Sequence, residues 1–179
     1  PEMFANHLGD PDERVAREER EKDRPTAGHM STFSAQLMVN NIGVSIKAMA
    51  LGMTYGIGTI VVLFYNGVIL GLVAVDYVRA GQLEFLLAWL LPHGSIELPA
   101  IIIGGQAGLM LAHALIGRGQ RTTIRARLRT ASADVVTLIF GVALLLVWAG
   151  LVEGFFSQYH EPVLPYSVKI AFGCVELAL

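Results

Sequence analysis

Five residues of this sequence have the types and spacing for acid–base or metal chemistry. His93 and Glu97 stand four positions apart, and Glu153, His160 and Glu161 gather in one later stretch. Imidazole and carboxylate together suit zinc or a similar ion, and they also make strong hydrogen-bonded pairs. His93 and Glu97 lie in "LLPHGSIELPAII", residues 90–102, where Pro92, Gly94, Ser95 and Pro99 interrupt an otherwise apolar run. Pro92 lacks an N–H and restricts the residue before it, and Gly94 can turn, which predicts that one helix ends here and that Ser95 caps the next. Glu97 then falls in a first turn, where unpaired N–H groups and the helix dipole favour a carboxylate.

On this reading His93 and Glu97 hydrogen-bond each other and the exposed backbone, fixing a helix break, and no metal is assigned. The sharper alternative is a metal site completed by Glu153, His160 or Glu161. His113 cannot join it, because sixteen helical residues place it about 24 Å from Glu97. Enzyme motifs are absent: there is no GxxxxGK[ST], HExxH, GxSxG or CxxC, and the single cysteine, Cys174, lies in the last apolar run. The residues thus predict neither catalysis nor a cofactor.

The elements that must carry these residues are legible from composition. The 179 residues are 54% hydrophobic and 16% charged, with a mean hydropathy of +0.55. Residues 1–30 hold eight of the fifteen acids and five of the thirteen bases. Residues 1–35 therefore read as a charged polar head or linker, and residues 36–179 as a transmembrane helical domain. A bilayer core about 30 Å thick needs roughly 20 apolar residues at 1.5 Å each. Ile42–Phe64 (interrupted by Lys47), Ile96–Ile116 and Ala131–Val152 (with Asp134) reach that length, and Tyr166–Leu179 is apolar to the end of the chain. None has the polar face of a soluble bundle helix. The fold class is all-α, a polytopic helical bundle with four or five spans. The head lacks the apolar core of a signal peptide, and the abrupt start predicts a longer parent protein.

"GRGQRTTIRARLR", residues 117–129, carries Arg118, Arg121, Arg125, Arg127 and Arg129 and no acid. The positive-inside rule places this loop in the cytoplasm, with its arginines on an anionic leaflet. The helix opened by PHGSIELP then starts on the outer side, where "EGFFSQYHEP" also lies. Between residues 66 and 91, "DYVRAGQLE" brings Asp76, Arg79 and Glu84 between two short apolar pieces. It reads as one broken crossing or as a re-entrant hairpin covered by protein; the broken crossing gives five spans, with the head outside. Gly52/Gly56, Gly67/Gly71, Gly104/Gly108 and Gly150/Gly154 have the spacing that lets helix backbones approach in lipid. Asn40, Asn41 and Asn66 read as caps. Lys47 and Glu176 are ionisable groups in apolar runs, explained by pairing or by function.

Four stretches, "NNIGVSIKAMALGMTYGIGT", "LFYNGVILG", "LLPHGSIELPAIIIGGQAGLMLAHALI" and "AGLVEGFFSQYHEP", together resemble the stage II sporulation protein M family over residues 36–179. The resemblance implies an integral membrane component rather than a catalyst. In spore formers the namesake is similar to a scaffold working with peptidoglycan-degrading proteins, and relatives elsewhere are often encoded beside MoxR-type AAA+ ATPases and von Willebrand A domain proteins. The expectation is therefore a non-enzymatic scaffold or partner subunit in the bacterial inner membrane, multi-pass, with lipid and envelope proteins as partners and no nucleic acid. The alternatives are a permease using broken helices around Asp76–Glu97, and a membrane metalloenzyme built on the outer His/Glu cluster.

Overall fold

The computed structural model describes residues 10–20, 27–119, 121–153, 156 and 164–178. Among them every regular element is a helix: α1 (Pro11–Arg20), α2 (Ala27–Ala50), a 3₁₀ turn (Leu51–Thr54), α3 (Ile57–Arg79), α4 (Leu83–Ile116), α5 (Ile124–Val152) and α6 (Tyr166–Ala178). Three of these, α3, α4 and α5, are long and apolar enough to cross a bilayer. Their outward residues are those of a lipid-facing surface: Ile60, Phe64 and Leu72 on α3 and Phe140, Leu144 and Trp148 on α5 are all exposed. The chain is a helical membrane protein.

Two expected boundaries move. The run Ile42–Phe64 is not one helix. Its polypeptide turns at Tyr55 (φ 55°) and Gly56 (φ 85°), and the Thr54 hydroxyl accepts the Gly58 N–H at 2.9 Å, capping the start of α3. The region 66–97 is interrupted once, at residues 80–82: α3 runs unbroken to Arg79 and α4 opens at Leu83, each long and apolar enough to cross a bilayer by itself. At the interruption Gly81, at φ 76°, lets the Gln82 N–H reach the Tyr77 carbonyl at 2.9 Å and its own N–H reach the Val78 carbonyl at 3.1 Å. These paired bonds close the helix end in a Schellman turn, and α4 begins two residues later. The apolar pieces flanking "DYVRAGQLE" are the ends of two long helices.

The helices sort into two compact units: Pro1–Gln36, Asn66–Ile96 and Ala149–Leu179 form the first, and Leu37–Tyr65 with Glu97–Trp148 the second. The first packs around Val73, Tyr77, Phe85, Leu86 and Tyr166, and buries Val15 of α1 among them. Phe85 stacks on Tyr77 and meets Tyr166 edge-on, each with ring centroids 6.0 Å apart. Asp10 caps α1 through the Asp12 N–H, and Asp12 accepts a bond from Gln82 at 2.9 Å. The head thus contributes a docked helix as well as charge.

The second unit packs Ala100, Val142 and Leu146 against Ile42, Ile103 and Leu145, and small residues set its spacing. A Cβ at Gly104 would stand 3.1 Å from the Ser45 carbonyl oxygen, and one at Gly108 only 2.7 Å from Thr59 Oγ1. The fully buried Thr59 donates its hydroxyl to the Ala48 carbonyl at 2.6 Å. Gly104 and Gly108 therefore serve close helix packing, as their spacing predicts. Gly67 and Gly71 pack against no helix among the described residues, where a Cβ at either meets nothing within 4 Å.

Candidate functional site

Helix α4 carries the opening motif in its interior. Pro92, Gly94, Ser95 and Pro99 do not break it: the helix is continuous from Leu83 to Ile116. Pro92 removes one backbone bond, to Ala88, and membrane helices tolerate such a residue where packed neighbours hold the helix together. Pro92, His93, Gly94 and Ser95 are all buried. Ser95 is not a cap, and Glu97 lies fourteen residues inside the helix rather than in its first turn. The dipole explanation of Glu97 falls with the break.

Instead, each polar group of the motif meets a partner distant in sequence. In the first unit His93 Nδ1 lies 2.7 Å from Glu153 Oε2, with the two side chains 2% and 1% exposed. Glu153 stands in the π-type turn that follows α5. The Trp89 indole meets the His93 ring edge-on at 5.5 Å. Two residues along α4, the Ser95 hydroxyl donates to Glu176 Oε2 of α6 at 2.9 Å. Lys169 of α6 is fully buried, and with Gly173 and Glu176 it forms one stripe at helical spacing. Gly173 brings that stripe against α4, since a Cβ there would stand 2.6 Å from Leu91 Cβ.

In the second unit Glu97, 6% exposed, accepts a bond from Asn41 Nδ2 at 2.5 Å. Asn41 lies inside α2 and Asn66 inside α3, so neither caps a helix. His93 and Glu97 are thus committed to different partners. His160 and Glu161 lie outside the described residues, and with them the completion of the expected outer cluster. Among the described residues no three histidine, cysteine or acidic side chains converge as metal ligands.

Ionised groups buried in apolar surroundings need partners, because desolvation is expensive and an unpaired charge is not compensated. The first unit answers that need by joining α4 to the end of α5 through His93–Glu153 and to α6 through Ser95–Glu176. Sequence reasoning flagged Glu176 and missed Lys169. The missed signal was a lysine seven residues before Glu176 in the same apolar run, which puts both on one helix face.

The sequence profile described as Stage II sporulation protein M matches residues 3–158. The chain belongs to the stage II sporulation protein M family. The match takes in the charged head that the motif resemblance left out; within this family region lie His93, Glu97 and Glu153, while Lys169 and Glu176 of α6 fall beyond it. No curated protein and no solved structure matches the chain significantly.

The remaining polar residues of this family member divide by role. Asp76, Arg79 and Glu84 flank the Schellman corner; Arg79 and Glu84 are exposed and Asp76 is half-buried. Arg118 and Arg121 are exposed between α4 and α5, and Arg125 and Arg129 are exposed in the first turns of α5, so the expected loop 117–129 ends at Thr123. Arg127 differs. Its guanidinium donates to the carbonyls of Ala114 at 2.7 Å, Leu115 at 3.2 Å and Thr122 at 2.5 Å. It therefore caps the C-terminus of α4, whose last carbonyls have no partner within the helix.

Proposed function

We propose that this stage II sporulation protein M family member is a non-enzymatic membrane scaffold, a partner subunit that holds an envelope-associated complex in the bacterial inner membrane. The observation that carries the reading is the His93–Glu153 pair, 2% and 1% exposed. Together with Ser95–Glu176, it uses buried polar groups to join helices, as rigid platforms require. Large apolar side chains on α3 and α5 remain outward for lipid or for a partner's helices. The five arginines of residues 117–129, two between α4 and α5 and three in the first turns of α5, favour a cytoplasmic position for that end of the two helices. Candidate partners are peptidoglycan-remodelling proteins or a MoxR-type ATPase with von Willebrand A domain proteins.

A permease reading rests on the buried ionisable groups and on the interruption at residues 80–82 between α3 and α4, since α4 itself is continuous through Pro92 and Pro99. The deciding experiment is recovery of the tagged protein from its native membrane in mild detergent, with quantification of co-purifying proteins, beside flux assays in sealed vesicles. Stoichiometric recovery of an envelope protein without flux is expected. A solute or proton flux abolished by Glu153→Gln, with no stoichiometric partner, would replace the scaffold by the permease.

A further inference from the structure

The second unit contains a cleft of about 540 Å³ between the end of α4 and the beginning of α5. Its polar lining is Gln106, His113, Thr122, Arg127, Thr130 and Asp134, set among apolar residues such as Leu109, Met110 and Ala131. We propose that this cleft binds the headgroup of an anionic phospholipid, with Arg127 as the phosphate ligand and phosphatidylglycerol as the headgroup it fits.

Depth is the first argument. From Val135 to Val152, α5 has no charged residue, so Asp134 marks the edge of the hydrocarbon. The α5 side of the cleft, Ala126 to Asp134, extends about 12 Å outward from that edge, at the level of the lipid headgroups. Charge is the second. Residues 117–133 hold five arginines and no acid. A guanidinium has five N–H donors in a fixed fork. Three on Arg127 bond carbonyl oxygens, which leaves two, and no carboxylate neutralises the group among the described residues. The cap thus anchors a cation in the cleft wall with donors to spare, the preorganised geometry that suits phosphate.

The side chains of Gln106, His113 and Asp134 make no hydrogen bond or ion pair among the described residues. His113 adds a donor, and Gln106 can pair with a headgroup hydroxyl. Asp134 opposes a second negative charge and accepts from a hydroxyl. A singly charged headgroup carrying hydroxyls meets all of these.

The test uses the purified full chain in detergent, with native mass spectrometry of added phosphatidylglycerol, phosphatidylcholine, phosphatidate and free glycerol phosphate. One phosphatidylglycerol should be retained at least about tenfold more tightly than phosphatidylcholine. Ala131→Trp, which fills the cleft and leaves every charge in place, should weaken that retention by about tenfold. Arg125→Gln with Arg129→Gln should change it by less than about twofold, since general attraction to a leaflet is not what holds the headgroup. His113→Leu removes a polar wall without touching the α4 cap and carries the same expectation should Ala131→Trp fail to fold. Asp134→Asn should raise phosphatidate toward phosphatidylglycerol. Retention indifferent to Ala131→Trp and His113→Leu, or lost with the exposed arginine pair, would overturn the site. Equal binding of free glycerol phosphate would overturn the lipid assignment.

Discussion

His93 Nδ1 and Glu153 Oε2 stand 2.7 Å apart, sixty residues distant in sequence and almost wholly shielded from solvent. The pair ties the middle of α4 to the end of α5. Removing one partner takes from a buried polar group its 2.7 Å neighbour, whereas removing both leaves an apolar contact. His93→Leu alone should therefore destabilise the purified protein by about 3–5 kcal/mol, and His93→Leu with Glu153→Leu by much less. Thermal unfolding in one detergent, arranged as a double-mutant cycle, measures this; additive losses would show that the two groups are not coupled.

Pro92→Ala should leave thermal stability unchanged or raise it. The substitution restores a backbone bond within a helix that is already continuous. A loss exceeding that of His93→Leu would restore the helix break.

The glycines separate by environment. Gly108→Val should destabilise by about 1–3 kcal/mol or more through overpacking against Thr59 and Ala48. Gly67→Ala and Gly71→Ala enter open space and should each gain about 0.5–1 kcal/mol from reduced backbone freedom. Unfolding midpoints of the three variants give the order directly.

Arg127→Gln should destabilise by about 1–3 kcal/mol by abandoning the carbonyls at the end of α4. Arg125→Gln, on an exposed side chain, should stay within about 0.5 kcal/mol. Equal effects of the two would mean that the cap contributes nothing.

Run length and hydropathy were enough to read a helical membrane protein, because a bilayer imposes one length on every crossing helix. The small-residue spacing at Gly104 and Gly108 was enough to read their packing, since a missing side chain is a local fact. An ordered set of motifs was enough to suggest the stage II sporulation protein M family. Helix ends at residues 55–56 and 80–82 were also within reach, in "TYGIG" and "RAGQL", where glycine follows a helix and can adopt positive φ.

The fate of PHGSIELP was not within reach. A proline and a glycine favour a break only when nothing else holds the helix, and here the surrounding packing outweighs that preference. The partners of the motif's polar groups come from other helices: Glu153 for His93, Glu176 for Ser95 and Asn41 for Glu97. Local spacing carries no information about which distant side chain will satisfy a buried one. Folding makes that choice, because an apolar interior forces each buried polar group toward whichever partner packing brings within hydrogen-bond reach.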